Sequence, residues 1–177
     1  MILPNMERYV SQWGGMDVGD GMLYPVSVID GIVHQVGGTK LAMECKYISL
    51  FYGGCPIGEA VKTFHGSAEL IKSFDMIIHT SPPFFKYHND PIKMLRQCYK
   101  SSLLYAFSEN VTRKVAIPLI GAGCRGFPLE TALKVAASET TVWKNNESSC
   151  LKDRCTIAFG LPDVSTCYHL LDLLEKE

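Results

Sequence analysis

The residue types that could do chemistry in this chain of 177 residues gather at two places. One is the loop Gly121-Ala122-Gly123-Cys124-Arg125-Gly126-Phe127, which follows the apolar run Val115–Ile120. Glycines after a buried strand let backbone approach a ligand closely and leave amides to point at phosphate oxygens. A glycine-rich turn from strand to helix can equally be structural. It is not a Walker loop, because no Lys-Ser/Thr follows, nor the G-x-G-x-x-G fingerprint that belongs at the first strand of a βαβ unit. Arg125 could add charge for a phosphate or point into solvent. The other place is Asp30 and His34, four residues apart and so on one face of a helix. Asp30 could serve there as a helix cap with His34 its helical partner, or the pair could act on a ligand.

Cys124 could be a nucleophile with His34 or His79 as its base, but no spacing ties the thiol to either. The five histidines (34, 65, 79, 88 and 169) show no metal-ligand spacing with cysteine or carboxylate, so neither metal nor cofactor is expected.

The elements that must position these residues follow from periodicity and punctuation. Ile32, Val33 and Val36 give a short helical face that stops at Gly37-Gly38. Thr39 can then cap a second helix to about Tyr47, with Leu41, Ala42 and Cys45 inward. Met76-Ile77-Ile78 reads as a buried strand, and Pro91 opens a helix carrying Leu95, Cys98, Tyr99, Ser102, Leu103 and Ala106. Val115–Ile120 reads as the next buried strand, followed by a helix from Leu129 to about Trp143. Cys155–Phe159 reads as a last strand. Asp163 caps the final helix, whose expected stripe is Tyr168, Leu170, Leu171 and Leu174. Strands alternating with helices indicate an α/β domain with helices on both faces of a mostly parallel sheet. Ligands in such sheets sit beyond the carboxyl ends of the strands, which puts the glycine loop and the turn after Phe159 at the functional rim.

Composition narrows the function classes. Seventeen basic and eighteen acidic residues leave a net charge of −1, too little to attract bulk nucleic acid or an anionic membrane. Seven cysteines, without a CxxC pair, suit reduced thiols in a cytoplasmic or nuclear protein. There is no signal peptide and no apolar run of membrane-spanning length. No linker or repeat divides the sequence, so residues 1–177 are expected to form one domain.

Four segments in order resemble the macro domain family, whose members bind ADP-ribose. Ile29-Asp30-Gly31-Ile32-Val33-His34-Gln35-Val36-Gly37-Gly38 is similar to its V-D-x-A-I-H-x-A-A-G helix, and Cys55-Pro56-Ile57-Gly58-Glu59-Ala60 to its C-x-x-G-E-A segment. Ile77-Ile78-His79-Thr80, with Pro83 beyond, is similar to I-I-H-T-V-G-P. Val115–Pro128 resembles its strand and phosphate loop, A-I-P-x-I-S-T-G-x-x-G-[YF]-P. The resemblance covers roughly residues 26–175. It implies a three-layer α/β/α fold with a mixed, mostly parallel central sheet.

It also implies site roles. The backbone amides of Ala122, Gly123, Cys124, Gly126 and Phe127 would hold the diphosphate, with the Phe127 ring near the distal ribose and Gly121 and Arg125 also in the ligand-binding set. Phe159 would stack on adenine, and Ile29 and Asp20 would join the ligand-binding set. Asp30 and His34 resemble the catalytic pair of the branch that removes mono-ADP-ribose from carboxylate side chains, where the Asp positions water.

The N-terminal part departs from the family. No Asn-Ala-Ala-Asn precedes the helix, and Val26-Ser27-Val28 stand where three glycines are expected. One register sets Asp17-Val18-Gly19-Asp20 over the asparagines, and another makes Gly19-Asp20 the pair that binds the adenine amino group. Residues 1–25 are therefore read as divergent or shortened. The resemblance implies a monomer that recognises ADP-ribose or mono-ADP-ribosylated protein, with ester hydrolysis resting on Asp30. The alternative is an inactive, degenerate macro domain serving as an interaction scaffold or binding a different nucleotide-like ligand.

Overall fold

A computed structural model describes residues 15–17, 23–25, 28–64, 66–72, 74–107, 114–146 and 155–176. Asp20, Val26 and Ser27 lie outside the described residues. The chain forms two compact units, Met1–Ser81 and Pro82–Glu177.

In the first unit, β1 (Gly15–Asp17) and β2 (Leu23–Pro25) pair antiparallel. Helix α1 (Val28–Tyr52) follows, with a break at Gly38. Strands β3 (Ala60–Phe64) and β4 (Met76–Thr80) then pair antiparallel, Val61 opposite His79. The break in α1 is where the sequence places the stop. Gly38 has φ 61 and ψ −155, a combination open only to glycine. Two more glycines make the bend compact. A Cβ on Gly37 would lie 2.5 Å from the Leu41 side chain, and one on Gly66 would lie 2.7 Å from Leu41 and 2.9 Å from the Gly37 carbonyl.

Among the described residues, the buried positions of α1 are Asp30, Gly37, Leu41 and Cys45. Ile32 and Val36 face outward, contrary to the expected apolar face. Leu41 and Cys45 are inward as expected. Glu44 accepts a hydrogen bond from the Phe64 amide (2.8 Å), tying α1 to the end of β3. β3 was not legible as a strand; its burial is patchy and only Thr63 is buried.

The second unit contains α2 (Pro91–Phe107), β5 (Lys114–Pro118), α3 (Leu129–Asn146), β6 (Thr156–Gly160) and α4 (Val164–Lys176). Helix starts behave as the sequence suggests. Pro91 opens α2, where Asp90 Oδ1 accepts from the Lys93 amide (3.2 Å). Asp163 accepts from the Thr166 amide and hydroxyl (2.8 Å each), and these bonds, led by that from Ser165, hold its carboxyl down at about 2. Leu95, Cys98, Tyr99, Leu103 and Ala106 of α2 are buried as expected, while Ser102 is half-buried. In α4 the inward residues are Thr166 and Leu170; Tyr168 and Leu171 of the expected stripe are exposed.

β5 and β6 pair in parallel, Ile117 beside Phe159 and Pro118 beside Gly160. Neither strand is buried throughout. Lys114 and Ala116 of β5, and Thr156, Ala158 and Gly160 of β6, are exposed, so each strand alternates, and β5 does not form the buried run expected. Among the described residues, no helix is long and apolar enough to cross a membrane.

The core of this unit is tied directly to the glycine loop. The Ile120 amide donates to the buried Tyr99 hydroxyl at 3.1 Å, one residue before Gly121. Burial raises the Tyr99 pKa and keeps it a neutral phenol. Tyr99→Phe leaves that amide without its acceptor, so it is expected to cost about 1–2 kcal/mol. Urea unfolding checks this through a lower midpoint at unchanged slope; an unaltered midpoint would show that the bond contributes nothing.

Candidate functional site

The loop after β5 is held by its own backbone. Gly121 has φ 87, and a Cβ there would lie 2.9 Å from the Phe127 ring, so both conformation and space require glycine. The Phe127 amide donates to the Gly121 carbonyl (3.2 Å) and the Gly126 amide to that of Gly123 (3.0 Å). Those two donors are therefore engaged within the loop. Among the described residues, the amides of Ala122 and Gly123 make no such bond. Gly123 stands open, with nothing within 4 Å of where its Cβ would be.

Two loop side chains make contacts that sequence spacing did not reveal. Phe127 is 4% exposed and packed 5.2 Å from the Phe85 ring, so it supports the loop. Arg125 lies 4.3 Å over the Phe84 ring, a cation–π contact, and its carbonyl accepts from the Phe85 amide at 2.9 Å. It neither extends into solvent nor joins the Ala122–Gly123 amides. Cys124 is half-buried in the same loop.

The parallel register brings Phe159 to this loop's edge of the sheet. Ile117 and Phe159 are neighbours at the carboxyl ends of β5 and β6, and the loop leaves β5 two residues after Pro118. Phe159 is half-buried. The glycine loop and Phe159 thus both lie at the carboxyl ends of these strands, where ligands of α/β sheets sit.

The first unit carries the acid and imidazole. Asp30 is 2% exposed, in the first turn of α1. Its Oδ1 lies 3.7 Å from His34 Nε2, close enough for charge to be felt and too far for a hydrogen bond. Burial holds the His34 pKa down at about 4, so the imidazole is neutral at physiological pH despite the carboxyl beside it. Ile29, next to Asp30, is exposed.

The structure adds partners that sequence spacing did not reveal. His79, on β4, has its ring 6.1 Å from that of His34 and its Nε2 2.7 Å from Thr63 Oγ1. Cys45 joins them: the coordinating atoms of His34, Cys45 and His79 all lie within 4.8 Å of one another. Burial, then the charges of Glu44 and Asp30, push the Cys45 thiol up to about 12. The segment Cys55–Ala60 is structural. Its Gly58 amide donates to the Ser81 carbonyl (3.0 Å), while Glu59's carbonyl accepts from Thr80 Oγ1 (2.7 Å) and Cys55 Sγ (3.3 Å). These bonds anchor β4, and with it His79.

With this geometry in place, comparison with known proteins is decisive about kinship. The family model described as Macro domain matches residues 21–136. The chain belongs to the macro domain family. A macro domain-containing protein of Caldanaerobacter subterraneus is 38% identical over 150 residues, covering 84% of this chain and 81% of the relative. An O-acetyl-ADP-ribose deacetylase of Klebsiella pneumoniae is 32% identical over 117 residues, 65% of this chain and 63% of that protein. A protein of Xenopus laevis named ADP-ribose glycohydrolase is 37% identical over 110 residues, 61% of this chain and 24% of that protein. This macro domain thus spans less than two thirds of the last two.

Solved structures agree on the fold. A variant macrodomain of Oceanobacillus iheyensis with ADPR gives a TM-score of 0.71 at 21% identity, covering 87% of this chain and 81% of that one. The macro domain of ganglioside induced differentiation associated protein 2 gives 0.71 at 24% identity, covering 86% and 72%. The expected α/β macro-domain fold is therefore correct.

The neutral His34 has a consequence for stability in this macro domain. In the unfolded chain the imidazole titrates near its ordinary value of 6.5, and in the folded chain near 4. As pH falls from 6.5 toward 4 the unfolded state takes up a proton that the folded state refuses, so this contribution to stability is lost with acid. An NMR titration with chelator present is expected to give a His34 midpoint near 4, with the urea midpoint falling between pH 7 and 5. A midpoint at 6.5 would show the ring to be solvated.

Proposed function

We propose that this chain binds ADP-ribose, free or attached to protein, with the diphosphate on the amides of Ala122 and Gly123 and the adenine against Phe159. The observation that carries this reading is the second unit's sheet edge. There the parallel register sets Phe159 beside the strand that feeds a self-bonded glycine loop with two amides to spare. Two backbone donors fixed before a ligand arrives need no reorganisation, and the start of α3 at Leu129 adds the positive end of a helix dipole. The macrodomain solved with ADPR and the relatives named for ADP-ribose chemistry support the same ligand class.

A second reading, hydrolysis of the ester joining ADP-ribose to an acyl group, is favoured by Asp30. A buried carboxyl beside a neutral imidazole can orient a water and accept its proton as the water attacks the anomeric carbon. The divergent N-terminal part, which lacks the family's asparagines, makes binding the primary function and turnover the secondary one.

Calorimetry with free ADP-ribose tests the binding. Gly123→Glu adds a carboxylate into open space without straining the fold, and it is expected to abolish binding. Phe159→Ala is expected to weaken it about tenfold, the lower part of the range for base–aromatic stacking. Unchanged affinity in Gly123→Glu would place the ligand elsewhere. Release of ADP-ribose from automodified protein by wild type, lost in Asp30→Ala, would establish turnover; equal release by both would remove Asp30 from the mechanism.

A further inference from the structure

We propose that His34, Cys45 and His79 form a binding site for a borderline-soft divalent cation, zinc by its donor set, inside the first unit. Their coordinating atoms already lie within 4.8 Å of one another. Tetrahedral zinc, with bonds of about 2.0–2.3 Å, holds neighbouring ligand atoms roughly 3.4–3.7 Å apart. Closing the cluster therefore asks for side-chain shifts of about an ångström, without moving an element. Two imidazoles and a thiolate are the ligands that zinc takes most readily.

The surroundings are those of a metal site rather than of plain packing. Both ring nitrogens of His34 are buried and lack a hydrogen-bond partner among the described residues, a state that polar groups rarely keep unless a ligand supplies the missing bond. Histidine ligands are commonly oriented by a second group on the other nitrogen. Asp30 Oδ1 stands 3.7 Å from His34 Nε2, beside the cluster, where its charge would be felt by a bound cation. Thr63 Oγ1 lies 2.7 Å from His79 Nε2 and holds that ring from β3.

Binding would form one Zn–S and two Zn–N bonds and break the Cys45 S–H bond, the proton leaving to solvent and the two imidazoles entering neutral. The three-ligand set carries a net charge of +1, which the carboxylate of Asp30 would offset. Three protein ligands leave a fourth tetrahedral position for water, the arrangement of catalytic rather than structural zinc. The proposal stands apart from ADP-ribose binding, because the metal is measured without nucleotide.

The test is to load the full chain with zinc, dialyse against metal-free buffer and count retained metal, then repeat with cobalt and record the spectrum. Wild type is expected to keep one metal per chain and to show thiolate-to-cobalt charge-transfer absorption with strong tetrahedral bands. Cys45→Ser, checked for folding by circular dichroism, is expected to lose the charge-transfer band. In wild type itself zinc should shift the ring resonances of His34 and His79 and not those of His88 or His169, a readout that needs no variant. No retained metal, a charge-transfer band that survives in Cys45→Ser, or shifts confined to His88 and His169 would each overturn the site.

Discussion

At Gly38 the backbone leaves helical geometry, with φ 61 and ψ −155, and the chemistry of the first unit follows from that departure. On a straight helix, eleven residues would separate His34 from Cys45 by about 16 Å. The break folds the second half of α1 back, so that Cys45 reaches His34 and His79. A side chain at Gly37 or Gly66 would collide with Leu41 and hold the two halves apart. Three side chains able to bind a metal, His34, Cys45 and His79, thereby come together where an apolar face was expected. Burial then sets their states: a neutral His34 and a protonated Cys45.

The second unit solves a different problem, that of presenting backbone donors without letting them collapse. Tyr99 fixes the residue before the loop, Phe127 fills the space beneath Gly121, and two internal hydrogen bonds hold the turn. Arg125, the only cation in the loop, is spent on Phe84. The proposed anion recognition there would rest on fixed amide dipoles rather than on mobile charge, which fits a chain whose net charge is close to zero.

Much of the fold was legible because local signals agreed. Pro91, Asp163 and the Gly37-Gly38 pair mark boundaries through backbone chemistry that does not depend on tertiary context. What failed was inference of which face is buried. Ile32, Val36, Tyr168 and Leu171 obey helical spacing yet face outward, since periodicity identifies a stripe and not the partner that covers it. The site was legible in the same uneven way. The glycine loop, Phe159 and the Asp30–His34 pair could be read from local sequence. Cys45, Thr63 and His79 could not, because they converge only after the helix folds back and β4 pairs with β3. The contacts of the Phe127 ring and of Arg125 could not be read either, since both are made with the segment Phe84–Phe85, far away in sequence.

The claim most exposed to test is that the amides of Ala122 and Gly123 are the diphosphate's donors. An amide-resolved NMR titration with ADP-ribose reads it directly. Those two amide protons are predicted to shift downfield together at saturation, with the Phe159 ring responding to the adenine, while Gly126 and Phe127, already bonded within the loop, move little. A saturating titration that leaves Ala122 and Gly123 unmoved would contradict the claim.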